Sequence, residues 1–456
     1  MERPNILFVF SDQQRYNTLG CTGNDVVQAP NLDRLAQDGV CFDQAFSSCP
    51  ICSPYRAQVL TGRYAHANGV VDNEYRLFDD HTLARALKEA GYETAYVGKW
   101  HLGYGPYPEE KRYGFDTMAA YDCQHSYYST VYYENTDGPY AIDGWAPSGE
   151  TDLALRFLQE HQERDEDAPF FLMLSWGPPH WPYDQYPDEF QKYEPHEMDL
   201  PLNVPEQLAD FARREIADYY GNISALDCEM GRLMSWLDDN DLAENTILCY
   251  SSDHGDHLSS HGYGKPMDMW LHHTKRASKA TPYEESIHIP FLLRYPERVA
   301  AGRRTDTLFN SVDVMPTLLS LAGVSIPTGV QGQDLSHAVL GRTGPEPDSV
   351  YLQILGQGWP HRGDWVGCWR GIRTSRWVYA RWHGTGDVLL FDRDSDPYEM
   401  DSLAGRPAFA AVQASMEERL VQWMSYTGDP FDSGDRDPGT GMLCLGQEFA
   451  DERWIV

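Results

Sequence analysis

Residues 5–13 of this 456-residue chain read NILFVFSDQ, five apolar side chains in a row followed closely by an acid and an amide. The apolar run, residues 6–10, is shorter than the roughly 7–15 residues of a signal-peptide core. Its length suits a buried β-strand. Because Asp12 and Gln13 come directly after this strand, we expect them at the carboxyl edge of a sheet, where open α/β folds place their ligands.

Short apolar runs of this kind alternate with helical stretches through the first two thirds of the chain. The predicted strands cover residues 5–11, 94–98, 170–175, 246–251 and 289–294. The predicted helices cover residues 31–38, 82–90, 152–161, 205–238 and 312–322. This alternation predicts an α/β fold with a large, mostly parallel central sheet flanked by helices.

The pattern changes after residues 341–347, a stretch rich in Gly and Pro, as at a domain boundary. Short β runs follow at 350–354, 366–374, 377–382 and 388–392, with one helix near 408–426. We expect a smaller C-terminal α+β subdomain with an antiparallel sheet. The predicted division is a catalytic domain over residues 1–345 and a subdomain with its tail over residues 346–456.

The composition limits the partners. With 36 Lys and Arg against 69 Asp and Glu, the net charge is -33, which repels nucleic acid and anionic membranes, so neither is an expected partner. No run approaches the ~20 apolar residues of a membrane span. The nine cysteines are odd in number and scattered, unlike a disulfide framework. We therefore expect a cytoplasmic protein; oligomeric state is left open.

One cysteine lies in a distinctive setting. Cys52 begins the segment CSPYR, which is followed by LTGR at residues 60–63. Pro54 suits the first turn of a helix, so Cys52 is expected at a helix N-terminus, where backbone N–H groups favour negative charge. Arg56 and Arg63 add positive charge nearby. A redox pair with Cys49, in the pattern C-x-x-C, and a plain core cysteine stay open as alternatives.

The segments at 52–56 and 60–63 resemble the signature of the type I sulfatases, in the alkaline phosphatase superfamily, and the resemblance extends over almost the whole chain. It implies an alkaline phosphatase-like fold. It also implies that a formylglycine-generating enzyme oxidises Cys52 to formylglycine, whose hydrate attacks a sulfate monoester. Tyr55 departs from the small residue that is common at its position in the family.

A second pair of polar residues, Asp253 and His254, follows the predicted strand 246–251 just as Asp12 and Gln13 follow the first strand. Two such pairs favour a divalent cation site at the sheet edge. By resemblance the metal ligands are Asp12, Gln13, Cys52, Asp253 and His254. Calcium is the expected ion. Because imidazole is softer than the ligands that calcium usually takes, manganese and zinc stay open.

Three further segments resemble parts of the sulfatase pocket. In GKWHLG, residues 98–103, Lys99 would hold the oxygen of the nucleophile and His101 would take its proton, a role that contributes roughly 10²–10⁴ in rate. In PPHWP, residues 178–182, His180 would contact the sulfate or the leaving oxygen. Lys279, four residues before YEES, would neutralise the leaving alkoxide, with Lys265 as its rival for this role.

The remaining expectations concern the substrate. By resemblance Arg56 holds the formylglycine hydrate together with the metal, and Asn73 lies where some superfamily members place a substrate-side residue. The expected function is hydrolysis of a sulfate monoester, preferably of a sugar, with aryl and choline esters open. A phosphonate monoester or phosphodiester hydrolase of the same superfamily is the alternative. A catalytically inert, sulfated-glycan-binding protein is the second alternative.

Overall fold

The structure is a computed structural model that describes residues 3–73, 75–77, 81–164, 168–263, 278–355 and 367–434. Within these ranges the strands form a ten-stranded sheet, a four-stranded sheet and one small two-stranded pair. The strands are β1 (Asn5–Asp12), β2 (Val40–Phe42), β3 (Ala45–Phe46), β4 (Glu93–Lys99), β5 (Thr117–Tyr121), β6 (Val131–Glu134), β7 (Asp137–Ala141), β8 (Phe170–Pro179), β9 (Thr246–Ser252), β10 (Phe291–Arg294), β11 (Arg303–Thr305), β12 (Phe309–Asn310), β13 (Val350–Ile354), β14 (Trp369–Arg373), β15 (Trp377–Trp382) and β16 (Val388–Asp392).

The helices of the described residues lie between these strands and after them. They are α1 (Pro30–Gln37), α2 (Cys52–Thr61), α3 (Ala65–Asn68), α4 (Leu83–Glu89), α5 (Ala146–Glu163), α6 (Ala209–Asp239), α7 (Glu284–Ile287), α8 (Val314–Leu321), α9 (Ser336–Val339) and α10 (Ala410–Thr427). Within these ranges no helix is both long and apolar enough to cross a membrane.

The centre of the large sheet is parallel. β1 pairs in parallel with β8 on one side and β9 on the other, and β4 and β5 continue the parallel order beyond β8. Successive side chains of a strand point to opposite faces: Ile6, Phe8 and Phe10 pack into one apolar core, and Leu7 and Val9 pack into another. A sheet covered on both faces explains why the first strand is apolar throughout.

Helices cover each face. α2, α4 and α8 contribute to the core that contains Phe8, and α1, α5 and α6 contribute to the core that contains Val9. In the long helix α6, apolar residues at helical spacing are buried, as predicted; these are Ile223, Leu226, Met230, Leu233 and Leu237. The predicted mostly parallel sheet with flanking helices is confirmed.

Antiparallel pairing is confined to the margins of this sheet. On one side β10 runs antiparallel to β9 and to β2, and β2 pairs in parallel with β11. On the other side the hairpin of β6 and β7 follows β5. The sequence analysis did not predict β2, β5, β6, β7 or β11. Several of these strands are only three to five residues long, too short for a periodic signal.

The C-terminal sheet is antiparallel throughout, in the order β13-β14-β15-β16, which confirms the predicted subdomain fold. Residues of α10 join its apolar core. A further apolar cluster contains Phe46 of β3 and Ile51 as well as Leu352 and Trp369, so the four-stranded sheet shares a core with the small β3–β12 pair and the segment before α2. The proposed division at residue 345 stays a prediction.

Candidate active site

The predicted site residues meet at the carboxyl edge of the parallel strands. Asp12 ends β1, Lys99 ends β4, and Asp253 follows β9 directly. His180 follows β8. Parallel strands bring their carboxyl ends to one edge of the sheet, so residues distant in the sequence become neighbours there. Cys52, the first residue of α2, faces them across the pocket.

Cys52 lies at a helix N-terminus, as predicted. Ile51 before it is extended, and the amide oxygen of Asn73 accepts a hydrogen bond from Ser53 N at 3.1 Å. Sγ of Cys52 lies 3.0 Å from Nζ of Lys279, 3.3 Å from Nε2 of His254 and 3.7 Å from Oδ1 of Asp12. Polar groups from three other segments therefore surround this one side chain.

The pKa of the Cys52 thiol reflects these neighbours. Burial and the negative charge of Asp12 oppose ionisation. The positive charges of Lys279 and Lys99 outweigh both and hold the pKa well below its usual value. A cysteine in such electropositive surroundings is reactive rather than inert. The pocket therefore favours an anion at the position of Sγ.

Arg56 contacts several of the segments that form the site. It lies one turn beyond Cys52 on α2 and is buried. Its Nη2 is 3.0 Å from Oδ2 of Asp12 and 3.2 Å from Oδ2 of Asp253. Its Nη1 donates to Oγ of Ser175 at 2.7 Å and to the backbone oxygen of Lys99. One guanidinium thus contacts residues of three strands, β1, β4 and β8, and the residue that follows β9.

Lys99 supplies a second buried cation. Its Nζ lies 2.6 Å from Oδ2 of Asp12. Burial alone would raise the pKa of Asp12, but the positive charges of Lys99, Lys279 and Arg56 lower it well below its usual value. Gly98, before Lys99, has a φ of +96°, and a Cβ there would clash with the backbone oxygen of Ser175. Glycine therefore allows the close approach of β4 to β8.

The donor set suits a divalent cation. Ligand atoms of Asp12, Cys52, Asp253 and His254 lie within 4.8 Å of one another, and all four residues are buried. Oε1 of the neighbouring Gln13 is buried and accepts no hydrogen bond within the described residues. Burial and the charge of Asp12 raise the pKa of Asp253 to about 6. A cation bound here would offset the unfavourable burial of these oxygens.

His254 presents one nitrogen to the cluster. Its Nδ1 is 2.9 Å from the backbone oxygen of Gly255, an arrangement that assigns the proton to Nδ1 and leaves the lone pair on Nε2. Nε2 lies 3.4 Å from Oδ1 of Asp253. A metal-binding histidine typically donates its other N–H to a carbonyl in this way. The residues present therefore fit a metal site with mixed oxygen and nitrogen ligands.

Lys279 reaches the same point from the opposite side. Its Nζ contacts Sγ of Cys52 and is 3.2 Å from Nε2 of His254. Burial lowers the pKa of Lys279, but the charges of Cys52 and Asp12 outweigh burial and raise it above its usual value. The ammonium group is therefore protonated at neutral pH. Its predicted rival Lys265 lies outside the described residues.

His101 has a left-handed backbone, with a φ of +55°. Its Nδ1 is buried and has no hydrogen-bond partner in the described part of the chain. Burial lowers the pKa of His101, but the charge of Cys123 and hydrogen bonds from His101 to Cys123 and Cys52 outweigh burial and raise it to about 9. His101 therefore lies between two sulfur atoms, one of which the sequence analysis did not consider.

His180 is held in a different environment. Its Nδ1 is 2.8 Å from the backbone oxygen of Trp181. Burial, Lys279 and His125 lower its pKa well below the usual value, so the ring is neutral. The imidazole of His125 stacks on it, with ring centroids 4.4 Å apart. His180 and Asp12 interact electrostatically, which places His180 at the same pocket as the other predicted residues.

Sequence reasoning missed Cys123 and His125. They follow β5 as part of the segment DCQH, just as Asp253 follows β9, and the same rule would have found them if β5 had been predicted. The strand itself, TMAAY, was not predicted because two of its five residues are alanine, which is depleted in strands. Ser175 was missed as well, since a serine within a strand carries no distinctive signal.

Two family models match this chain. The family model described as Sulfatase matches residues 4–324, and that described as N-sulphoglucosamine sulphohydrolase, C-terminal, matches residues 275–425. An ulvan-active sulfatase of Formosa agariphila is 34% identical over 442 residues, which cover 95% of this chain and 83% of the relative. An N-acetylglucosamine-6-O-sulfatase of Bacteroides thetaiotaomicron is 27% identical and covers 98% of this chain and 90% of the relative.

A solved structure agrees with these relatives. A protein in complex with its substrate D-glucosamine-2-N,6-O-disulfate superposes with a TM-score of 0.80 at 25% identity, over 95% of this chain and 100% of the other. The family match extends over most of the chain, and the relatives named as sulfatases match it nearly end to end. The chain therefore belongs to the type I sulfatase family of the alkaline phosphatase superfamily and is a sulfuric ester hydrolase.

Proposed function

We propose that this protein hydrolyses sulfate monoesters of carbohydrates, with a formylglycine derived from Cys52 as its nucleophile and a divalent cation in the adjacent cluster. A formylglycine-generating enzyme would carry out the conversion. The proposal is supported above all by the surroundings of Cys52. Its Sγ, which stands where the aldehyde oxygen would be, lies within 3.7 Å of Lys279, His254 and Asp12.

The formylglycine and the divalent cation would each supply part of the hydrolysis chemistry. A hydrated formylglycine would supply one hydroxyl to attack sulfur and displace the alcohol oxygen, and a second hydroxyl whose deprotonation would restore the aldehyde and release sulfate; the cation would polarise the transferring group. Asp12, Gln13, Asp253 and His254 would hold the cation. Calcium is our first choice because three of these four ligands offer oxygen. The fourth ligand is an imidazole, which also suits manganese or zinc, so both are alternatives to test.

Arg56 and Lys99 prepare the pocket before substrate arrives. Both cations contact Asp12, and Arg56 also contacts Asp253. They fix the direction of these carboxylates and add positive charge in a buried setting, where electrostatic stabilisation is strong. In a chain with a net charge of -33, this local charge is what an anionic ester requires.

Lys279 and His180 would serve the leaving group. The Lys279 ammonium lies 3.0 Å from the position of the nucleophile and carries a proton for the departing oxygen. His180 is neutral with its proton on Nδ1, so Nε2 is left to accept a hydrogen bond from the substrate. We therefore assign proton donation to Lys279 and orientation of the leaving alcohol to His180.

His101 would accept the proton that releases sulfate. In the thiol form of the enzyme its pKa of about 9 keeps it protonated, partly through its hydrogen bond with Cys52. Because only the neutral imidazole can accept a proton, the fraction of His101 able to act as this base rises as the pH approaches 9.

A carbohydrate ester is favoured by the relatives. The names of two of them refer to ulvan and to N-acetylglucosamine-6-O-sulfate, and a structural neighbour was solved with a disulfated glucosamine. The rival substrate is a phosphonate monoester. Asn73 was expected on the substrate side; its Oδ1 atom accepts a hydrogen bond from Ser53 N at the start of α2, and its contact with substrate stays a prediction.

The test is a competition between substrate classes. We would measure kcat/KM for sulfated mono- and disaccharides, 4-nitrophenyl sulfate and 4-nitrophenyl phenylphosphonate, with Cys52→Ala as the inactive control. The proposal predicts the highest kcat/KM for a saccharide sulfate. A higher kcat/KM for the phosphonate ester would support the alternative. Saccharide sulfate binding without turnover by a fully matured protein would support the inert, glycan-binding alternative.

A further inference from the structure

His125 lies beside the proposed leaving-group residue, yet no step above uses it. Its imidazole is nearly parallel to that of His180, with an interplanar angle of 10° and a centroid distance of 4.4 Å. The two residues come from different segments, the loop after β5 and the loop after β8. Both side chains are half-buried. The stack is therefore a tertiary contact at the pocket wall.

The hydrogen bonds of His180 leave its ring plane undetermined. Nδ1 has the backbone oxygen of Trp181 at 2.8 Å, and the hydroxyl of Tyr127 donates to the backbone oxygen of His180 at 2.8 Å. The first bond fixes which nitrogen carries the proton, and the second fixes the main chain. A single side-chain bond still lets an imidazole swing about its axis. A flat neighbour against its face removes that freedom.

The position of His125 is itself fixed. Its Nε2 lies 3.4 Å from Sγ of Cys123, and the pKa of Cys123 is well below its usual value, because His101, Lys99 and a hydrogen bond with His125 outweigh burial. Its Nδ1 is buried and makes no hydrogen bond within the described ranges. With one nitrogen on Cys123 and the other enclosed, His125 offers the pocket its flat face.

We propose that His125 is a positioning residue of the sulfatase reaction, which holds the plane of His180 by stacking so that Nε2 of His180 accepts a hydrogen bond from the leaving alcohol as Lys279 protonates it. Cys123 holds His125 in turn. The inference rests on the function proposed above. A misplacement of about 1 Å at a reacting group can cost on the order of 10²-fold in rate, so the loss of the stack should lower kcat more than it raises KM.

The experiment compares His125→Phe with His125→Ala on the matured enzyme. Phenylalanine keeps a flat ring at this position but has no nitrogen. We expect His125→Phe to retain kcat within about threefold and His125→Ala to lose about 10- to 100-fold on a saccharide sulfate. The loss should be smaller on 4-nitrophenyl sulfate, because 4-nitrophenolate leaves without a proton and therefore donates no hydrogen bond to His180. Thermal unfolding of each variant checks the fold, and His125→Leu replaces His125→Ala if the latter does not fold.

A double-mutant cycle gives an independent reading. In a His180→Ala background, His125→Ala should have no further effect on kcat, because there is no ring left to hold. Additive losses, unchanged kcat in His125→Ala, or an equal loss in His125→Phe would each overturn the inference. These outcomes differ from failure of the proposed function, since in that case the wild-type enzyme itself would not turn over any sulfate ester.

Discussion

Nζ of Lys279 lies 3.0 Å from Sγ of Cys52, although 227 residues separate the two in the sequence. The contact joins a loop that follows β9 to the first residue of α2. It places a protonated amine next to the position of the nucleophile. The proposed leaving-group acid is therefore in direct contact with the position of the proposed nucleophile.

Substitution of Lys279 should separate catalysis from folding. We expect Lys279→Met to lower kcat on a saccharide sulfate by roughly 10²–10⁴-fold, because the departing alkoxide loses its proton donor. The loss should shrink on 4-nitrophenyl sulfate. Steady-state kinetics on both esters is the measurement, with Lys192→Met as the control, since Lys192 packs on Phe190 away from the described site. Equal losses on the two esters would contradict a leaving-group role.

Arg56 should matter for stability as well as for activity. Arg56→Lys keeps a charge but cannot contact Asp12, Asp253, Ser175 and the Lys99 carbonyl at once. Loss of a buried partner costs about 3–5 kcal/mol. The matched control is Arg34→Lys, an exposed residue paired with Asp38 and Asp238, which should cost under about 1 kcal/mol. Urea unfolding of both variants checks this, and similar small costs would be evidence against the role of Arg56.

Glu150 should make stability depend on pH. Burial raises its pKa to about 8, against the hydrogen bond from Tyr121, whereas the unfolded value is about 4.3. Between these values the folded protein holds the extra proton. The contribution of Glu150 to the free energy of unfolding is therefore fully present below about pH 4 and is lost as the pH rises through about 8.

The variant Glu150→Gln mimics the protonated acid and tests this dependence. Between pH 6 and 8 we expect the decline of the free energy of unfolding to become less steep by roughly 1.4 kcal/mol per pH unit. Urea unfolding across this range is the measurement, and the exposed Glu160→Gln is the control. Parallel pH profiles for wild type and Glu150→Gln would show that Glu150 does not titrate in this window.

Removal of the cation should lower thermal stability. A ligand present at 100 times its Kd stabilises the folded state by about 2.7 kcal/mol. We therefore expect the Tm to fall on chelation and to recover with calcium, with manganese and zinc tested in parallel. In Asp253→Asn, which lacks one carboxylate of the cluster, the Tm should respond little to either treatment. A wild-type Tm that is indifferent to both would rule out a cation of this affinity.

The central strands and part of the site were predictable from one pattern, an apolar strand followed directly by polar residues. β1, β4, β8 and β9 are apolar and buried on both faces, and the residues that follow them must meet at one edge. Asp12 and Asp253 were therefore expected at one edge of the sheet, and the resemblance to sulfatase segments added Lys99 and His180 to the same pocket. Cys52 was found through Pro54, which indicated the start of α2.

What the sequence did not predict depends on tertiary context. β2 and β11 are each three residues long. β2 is held by pairing with β10 and β11, and β11 is held by pairing with β2. α5 begins at Ala146, six residues before the predicted start. The earlier start was missed because a proline usually ends a helix, whereas Pro147 lies in the first turn, where a proline is tolerated. The stack of His125 on His180 joins two loops, and no local pattern encodes such a contact.

The most direct test of the account is the chemical state of Cys52. Peptide mass spectrometry would be run on the tryptic fragment, residues 35–56, from protein made in a host with formylglycine-generating activity. Cys41 and Cys49 lie in the same fragment and serve as internal controls that should remain thiols. The account predicts an aldehyde at residue 52 alone. An intact Cys52 thiol at full occupancy, in a host that converts a known sulfatase, would contradict it.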